Sequence, residues 1–163
     1  MKIRFATHPD VPGIIRLLQQ VGRVHHDGRP DLFRAGAQKY GASQIIALLD
    51  KSDSPVFVAV EEDQVLGYGF CKVKEHTQDP VFRDNTELYI DDICVDETCR
   101  RQGIGKAIYE EIVRYAKMRK CHNITLNVWN FNEGALKFYE RCGMKPQRIF
   151  METVLEKENA GKE

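Results

Sequence analysis

Residues 99–112, CRRQGIGKAIYEEI, combine positive charge, two nearby glycines and the apolar spacing of a helix. Arg100, Gly103 and Gly105 stand where a predicted strand gives way to that helix, so the first helical N–H groups have no intrahelical partner. They lie at the positive end of the helix dipole, and glycine lets a ligand approach the backbone. Lys106 adds a cation. The segment is typical of a phosphate-binding turn, although the same residues also occur in purely structural turns.

Two common nucleotide-binding motifs are excluded by the residues present. A dinucleotide fingerprint requires a third glycine, and Ile108 stands at that position. A P-loop requires Ser or Thr after Gly105 and Lys106, and Ala107 stands there. A phosphate-bearing ligand of this turn would therefore be bound by neither of these two motifs.

Two adjacent acids interrupt the alternation of the predicted strand TELYIDDICV. Neighbouring strand residues point to opposite faces, so a regular strand presents only one of Asp91 and Asp92 to a given site, whereas a bulge admits both. Glu87 lies upstream in the same strand. A solvated acidic strand end remains the alternative interpretation.

A second group of polar and aromatic residues lies in VWNFNEGALKFYERCGM, residues 128–144. Asn132 is placed to cap the following helix. Taken alone, the apolar spacing that includes Phe138 and Tyr139 is typical of a core-facing helix surface.

The elements that must position these residues follow in the order β-α-α-β-β-β-α-β-α-β. The last predicted strand is RIFMETVL, residues 148–155. We expect an α/β (α+β) fold in one domain, residues 1–155, with a mixed sheet flanked by helices on both faces. Residues 156–163 are predicted to be a polar tail.

Composition limits the function classes. Of the 163 residues, 24 are Lys or Arg and 24 are Asp or Glu, so no net basic field favours nucleic acid or an anionic membrane. No apolar run is long enough for a membrane span, and the beginning of the sequence lacks a signal-peptide pattern. The five cysteines include no C-x-x-C pair, so we expect a cytoplasmic, reducing location.

Both motifs resemble those of the GCN5-related N-acetyltransferase (GNAT) family, in the family's order. Its acyl-CoA signature, Arg or Gln, two residues, Gly, one residue, Gly or Ala, matches the glycine turn. Its second element, Asn-x-x-Ala-x-x-Phe-Tyr followed by Gly, matches Asn132, Ala135, Phe138, Tyr139 and Gly143. The resemblance implies the GNAT acyl-CoA N-acyltransferase fold, with a mostly antiparallel sheet, acetyl-CoA as acyl donor and no metal.

The resemblance also implies roles for individual residues. Asn132 would contact the pantetheine arm, and Tyr139 would protonate the departing thiolate. The strand before the turn would offer main-chain groups of Ile93, Cys94 and Val95 to pantetheine and the thioester. The pyrophosphate would be bound at the glycine turn, by Arg100, Arg101, Gln102, Gly103, Ile104, Gly105 and Lys106.

An attacking amine must lose a proton, so the acceptor site needs a base. Relatives that acetylate ribosomal protein N-termini carry a glutamate where Asn127 stands, and an amide cannot accept a proton. The resemblance to polyamine acetyltransferases, which have a similar acidic pair, moves the candidates to Asp91 and Asp92, with Glu87 and Asn127 near the acceptor. The loop HHDGRPDLF, in the position that roofs the acceptor site in this family, would add His25 and Arg29, unless its charges simply pair with one another.

The resemblance thus predicts direct transfer of an acetyl group from acetyl-CoA to a small primary amine, polyamine-like or amino-acid-like. A protein N-terminus or lysine is the alternative acceptor, and a non-catalytic acyl-CoA-binding module is the alternative from another class. A homodimer is compatible with the resemblance.

Overall fold

The structure, a computed structural model, describes residues 1–155, and the predicted polar tail lies outside the described residues. No helix of this part is both long and apolar enough to cross a membrane. Its elements are β1 (Lys2–Phe5), α1 (Val11–Gly28), α2 (Ala42–Leu49), β2 (Val56–Glu61), β3 (Gln64–His76), β4 (Asn85–Val95), α3 (Ile104–Met118), β5 (Asn123–Leu126) and α4 (Glu133–Arg141).

The five strands form one sheet in the order β1-β2-β3-β4-β5, antiparallel except for the parallel pair β4–β5. One core cluster packs α3 against the sheet and includes Ile108 and Ile112, both fully buried. The other core cluster packs α1 and α2 against the opposite face and includes Ile14, Leu17 and Ile45. The predicted mixed sheet with helices on both faces is confirmed.

Helix α1 is longer than the apolar pattern indicates. The pattern predicts an end near Val24, whereas the helix continues to Gly28, where the Arg29 N–H donates to the His25 carbonyl at 2.9 Å. The His25 ring stacks on Phe33 with centroids 5.0 Å apart, so packing outside the helix stabilises its polar last turn. Part of the predicted acceptor loop is therefore helical.

Strand β4 contains a bulge at the acidic pair. Asp92 pairs with Phe70 and Ile90 pairs with Cys71, so Asp91 is the extra residue on β4. A bulge re-aims side chains that regular alternation would send to opposite faces. The sheet thereby gives both acids access to one side of the molecule.

Strands β4 and β5 part after a short ladder. Their parallel pairing runs from Glu87–Asn123 to Ile90–Leu126, and β4 then continues to Val95 with only β3 beside it. The last residues of β4 therefore have an open main-chain edge toward the place that β5 has left.

The predicted closing strand, residues 148–155, is wrong as an element of the folded chain. Residues 145–155 contain no regular secondary structure, and Phe150 is 98% exposed. A strand needs a neighbour to pair its N–H and C=O groups, and none of the described strands lies alongside this segment. The apolar pattern is present, but its pairing partner is not.

A substitution at Gly67 tests the close packing of β3 against the end of β4 and α3. A Cβ atom at Gly67 would lie 2.8 Å from the Cys94 carbonyl oxygen and 3.0 Å from Ile108 Cδ1, and a backbone oxygen cannot easily move. We expect Gly67→Ala to lower the free energy of unfolding by about 1–3 kcal/mol in chemical denaturation.

Gly134→Ala is the matched control, because the nearest atom to its Cβ would be 3.9 Å away and α4 is a helix. Alanine favours a helix over glycine, so stability should stay equal or rise. Equal losses in the two variants would contradict the close packing at Gly67.

Candidate active site

The glycine turn follows β4 and leads into α3. Arg101 and Gly103 both adopt left-handed backbone conformations, with φ of 65° and 79°, and a Cβ at Gly103 would meet nothing within 4 Å. The Ala107 N–H donates to the Gly103 carbonyl at 3.0 Å and so begins the helical ladder. The N–H groups of the residues between them have no intrahelical acceptor, so the turn fits an anionic ligand such as a pyrophosphate.

Gly105 has a packing role in addition to the role that the turn pattern predicts. A Cβ at Gly105 would lie 3.3 Å from Phe138 Cε2 and 3.5 Å from Val95 Cγ2. The missing side chain therefore lets α4 approach α3 and β4.

The basic side chains of the turn lie at its surface. Arg100 Nε is 3.4 Å from the Val95 carbonyl, at the last residue of β4, and Lys106 Nζ is 3.7 Å from Glu110. Ile104 is 3% exposed in the α3 core, so it offers a ligand only its backbone.

The open edge of β4 comprises Ile93, Cys94 and Val95, which pair with β3 on the other side. Cys94 is 5% exposed, and its Sγ is 3.7 Å from the Leu17 carbonyl. Burial raises the pKa of this thiol to about 12, with the charge of Asp92 adding to the effect. Cys94 is therefore a protonated strand residue at neutral pH, which does not suit a nucleophile.

Helix α4 borders the open edge and has no fully buried residue. Asn132 begins it: its Oδ1 accepts from the Ala135 N–H at 3.2 Å, which confirms the capping role and leaves the amide NH₂ for a ligand. Tyr139 is half-buried. Burial, and after it the charge of Asp92, raise the pKa of Tyr139 well above its usual value, so the phenol keeps its proton at neutral pH.

The two acids have different partners. Two consecutive loop residues contact the Asp91 carboxylate. Lys39 Nζ lies 2.7 Å from Asp91 Oδ1, and the Tyr40 hydroxyl donates to Asp91 Oδ2 at 2.7 Å. Lys39 Nζ also donates to the Asp91 carbonyl at 3.1 Å. Asp91 therefore joins the loop after α1 to the sheet.

Asp92 is the less solvated acid. The buried Tyr68 hydroxyl donates to its Oδ2 at 2.6 Å. Burial raises the pKa of Asp92 to about 6 and outweighs the opposing effects of the Tyr68 hydrogen bond and the Lys39 charge. A carboxyl group with a pKa near neutrality can exchange a proton at working pH.

Glu87 and Asn127 do not join the acidic pair. Glu87 accepts from Thr125 Oγ1 at 2.6 Å and lies 3.2 Å from His76 Nε2. It stands four residues before Asp91 on an extended strand, a separation of about 13 Å. Asn127 donates to the Tyr89 hydroxyl at 3.1 Å.

An aromatic cluster, His25, Phe33, Trp129 and Phe131, joins the end of α1 to the loop before α4. The Phe33 and Trp129 rings meet edge to face with centroids 5.3 Å apart, and Trp129 stacks on Phe131 at 5.8 Å. Burial, and then the charge of Lys39, lower the pKa of His25, so its ring is neutral at physiological pH. The cluster forms an apolar wall beside a loop that also reaches the acids.

Arg29 lies outside this wall. It donates to Asp31 at 2.7 and 2.8 Å and to Glu152 of the C-terminal segment. The charges of the predicted acceptor loop thus pair partly with one another.

The sequence does not predict three residues of the acidic site, which are Lys39, Tyr40 and Tyr68. Tyr68 lies two residues before Phe70 on β3, so the strand period places the two on one face, but the register that brings Tyr68 to Asp92 is a tertiary property. The loop residues Lys39 and Tyr40 carry no periodic signal.

The chain is similar in sequence and fold to proteins of solved structure. A mutant of the BH1408 protein of Bacillus halodurans has a solved structure with a TM-score of 0.92 and 35% identity, covering 96% of this chain and 100% of that one. An aminoglycoside N-acetyltransferase solved in complex with CoA has a TM-score of 0.69 and 12% identity, covering 95% of this chain and 99% of that one, and shows the same fold.

Among curated proteins, N-alpha-acetyltransferase 30 of Xenopus laevis is 30% identical over 95 residues, 58% of this chain and 33% of that protein. The matches span less than half the length of the curated relatives. Residues 22–144 match the acetyltransferase (GNAT) family over three quarters of the chain, including the glycine turn and α4. The chain therefore belongs to the GNAT acetyltransferase family.

Proposed function

We propose that the protein is an acetyl-CoA-dependent N-acetyltransferase that acts by direct transfer on a small primary amine. One observation carries the proposal: the open edge of β4, residues 93–95, lies between Asp92, which precedes it, and the glycine turn, which follows it. Tyr139 of α4 is close enough for the charge of Asp92 to raise its pKa. The family membership supports the acyl donor, and a solved relative of the same fold contains CoA.

The residues at the open edge fit acetyl-CoA in three places. The turn from Arg100 to Lys106 would bind the pyrophosphate through main-chain N–H groups. The free edge from Ile93 to Val95 would pair with the amides of pantetheine in the place of a missing strand. Asn132 would donate its amide hydrogens to the same arm.

The chemistry requires three proton transfers. The acceptor arrives as an ammonium ion, and Asp92, directly or through water, would take its proton, because burial has raised the pKa of this carboxyl group. The free amine then forms the new C–N bond at the thioester carbonyl as the C–S bond breaks. Tyr139 would donate its phenol proton to the departing sulfur, since its own pKa keeps it protonated. The nitrogen of the new amide would lose its second proton, which would return through water to the Tyr139 phenolate.

The acceptor surface favours a cationic amine of small size. Asp92 supplies negative charge at the reacting end, and the aromatic cluster offers flat apolar faces that attract ammonium groups. Asp91 is occupied by Lys39 and Tyr40, so it would position the loop and not bind the reacting ammonium.

A protein N-terminus is the second candidate acceptor, on the ground of the similarity to an N-alpha-acetyltransferase.

We also propose a cytoplasmic location, which the five free cysteines support. We propose a homodimer as well, which the solvent-exposed apolar side chains of the C-terminal segment support.

An acceptor screen tests the activity itself. Purified protein with acetyl-CoA is offered polyamines, amino acids, aminoglycosides and peptides with free N-termini, and released CoA is measured with product mass. We expect turnover with a small polycationic amine. Turnover with peptides alone would support a protein N-terminus as the acceptor. Acetyl-CoA binding without turnover of any acceptor would contradict the proposed enzymatic activity.

Tyr139→Phe tests the proton donor, because it keeps the ring and removes only the hydroxyl group. A general acid contributes about 10²-fold or more, so kcat should fall by that factor while acetyl-CoA affinity by calorimetry stays nearly constant. Tyr115→Phe is the control, since Tyr115 of α3 is 8% exposed and packs against Phe5 of β1 and Phe57 of β2. Normal kcat in Tyr139→Phe with a lower melting temperature would assign Tyr139 to packing.

Asp92→Asn tests the base by its pH dependence. The base acts when deprotonated, so kcat/KM should fall as pH drops through about 6, the pKa of Asp92, and the variant should lose this acid limb along with at least about 10²-fold activity. A raised pKa means that folding disfavours the carboxylate, a cost that is present above the unfolded pKa of about 4. Asp92→Asn should therefore melt at the same temperature or higher at neutral pH.

Asp91→Asn is the comparison variant, because Asp91 anchors the loop through Lys39 and Tyr40. It should raise the KM for the amine and retain the acid limb. An unchanged pH profile in Asp92→Asn would remove Asp92 as the base.

A further inference from the structure

The loop between α1 and α2, residues 29–41, brings a primary amine of the chain itself to the acidic pair. Lys39 Nζ lies 2.7 Å from Asp91 Oδ1 and donates to the Asp91 carbonyl at 3.1 Å. Asp92, the proposed base, is the next residue of β4, and the open edge begins immediately after it, at Ile93. The Lys39 ammonium therefore lies beside the strand segment where an acceptor amine would react.

The electrostatics of two other groups also place this ammonium near the site. Burial raises the pKa of Asp92, and the charge of Lys39 opposes this rise. Burial, and then the same charge, lower the pKa of His25 in the aromatic cluster. Charges act over short distances at physiological salt. The ammonium is therefore close to both the proposed base and the apolar wall.

Lys39 has the freedom to leave its ion pair. Its side chain is 45% exposed, and an ion pair that water reaches contributes little to stability. Residues 29–41 contain no helix or strand, and the main-chain N–H groups of residues 38–40 donate to no main-chain oxygen of residues 1–155. The four-carbon stem of lysine is flexible. Nζ can therefore turn toward the open edge while the Tyr40 hydroxyl keeps the loop attached to Asp91.

We propose that Lys39 is itself an acceptor, so that the protein transfers an acetyl group from acetyl-CoA to its own Lys39 side chain. The inference rests on the proposed acetyl transfer and adds an internal substrate to it. An external amine would compete with Lys39 for the same acids, so self-acetylation is the reaction expected when no other acceptor is present.

The bond changes balance without a further reactant. Asp92 takes one proton from the Lys39 ammonium, Nζ forms a bond to the acetyl carbonyl carbon, and the C–S bond breaks. Tyr139 donates its proton to the sulfur, and the second nitrogen proton returns through water to the Tyr139 phenolate. The products are CoA thiol, an N-acetylated Lys39 and one proton. The acetylated side chain is neutral, so it no longer forms an ion pair with Asp91.

Mass spectrometry tests the proposal directly. The purified protein is incubated with acetyl-CoA and no external amine, and a gain of about 42 Da, one acetyl group, should map to the peptide that contains Lys39. Lys39→Arg retains the cation but has no amine to acetylate, so the gain at this peptide should disappear. Asp92→Asn and Tyr139→Phe should each slow the gain at least about 10²-fold.

Two other lysines of the chain are matched controls. Lys74 also faces an acid, Glu87 at 3.8 Å, and is 37% exposed, but it lies on a part of the sheet away from Asp92. Lys106 is 72% exposed in the glycine turn, next to the proposed pyrophosphate site. Both should be at least about tenfold less acetylated than Lys39, because neither is oriented toward the thioester.

The transfer should take place within one chain. The fraction of acetylated Lys39 after a given time should then be independent of protein concentration. In a mixture of the Asp92→Asn and Lys39→Arg variants, the intact Lys39 of the first variant should gain no acetyl group from the second. Acetylation of that lysine would show transfer between chains and would contradict an internal acceptor.

Failure of this inference is distinguishable from failure of the proposed function. Release of CoA with an external amine, without acetylation of Lys39, would support the enzyme and remove its internal substrate. Equal acetylation of Lys39, Lys74 and Lys106, at a rate that neither Asp92→Asn nor Tyr139→Phe changes, would assign the modification to uncatalysed chemistry. Absence of transfer to any amine, internal or external, would contradict both proposals.

Discussion

The structure depends on the parting of two parallel strands. β4 shares only the ladder from Glu87–Asn123 to Ile90–Leu126 with β5 and then continues to Val95 with one edge unpaired. Unpaired main-chain groups in a protein interior are costly, so such an edge requires water or a ligand with amide groups of its own. The glycine turn begins where this edge ends, and α4 borders it, so every proposed contact with the acyl donor follows from this one divergence.

A bulge makes the two adjacent acids unequal. Asp91, the extra residue, is neutralised by Lys39 and accepts from Tyr40, and it serves as the point where the loop after α1 meets the sheet. Asp92 loses water instead and retains one buried phenol, Tyr68, as donor. Charge pairing and desolvation act in opposite directions on a carboxyl group, so neighbouring residues of one type acquire different chemistry.

The same requirement for backbone pairing governs the far edge of the sheet. Residues 148–155 have apolar side chains suited to a strand but no ladder, and within residues 1–155 β5 has a ladder on one side only. In the ligand cleft the unpaired groups are those of β4, and at the outer edge they are those of β5.

The sequence by itself determined the features that depend on local spacing. The turn at Gly103, the cap at Asn132 and the buried face of α3 all follow from residues a few positions apart. The two family motifs are local for the same reason. Only the tertiary structure decided which strands part, where β4 bulges, that Glu87 stands away from the acids, and that Tyr68 reaches Asp92. These depend on strand register, which is fixed by contacts between residues far apart in the chain. For the same reason the apolar pattern of residues 148–155 predicted a strand that the described fold does not contain.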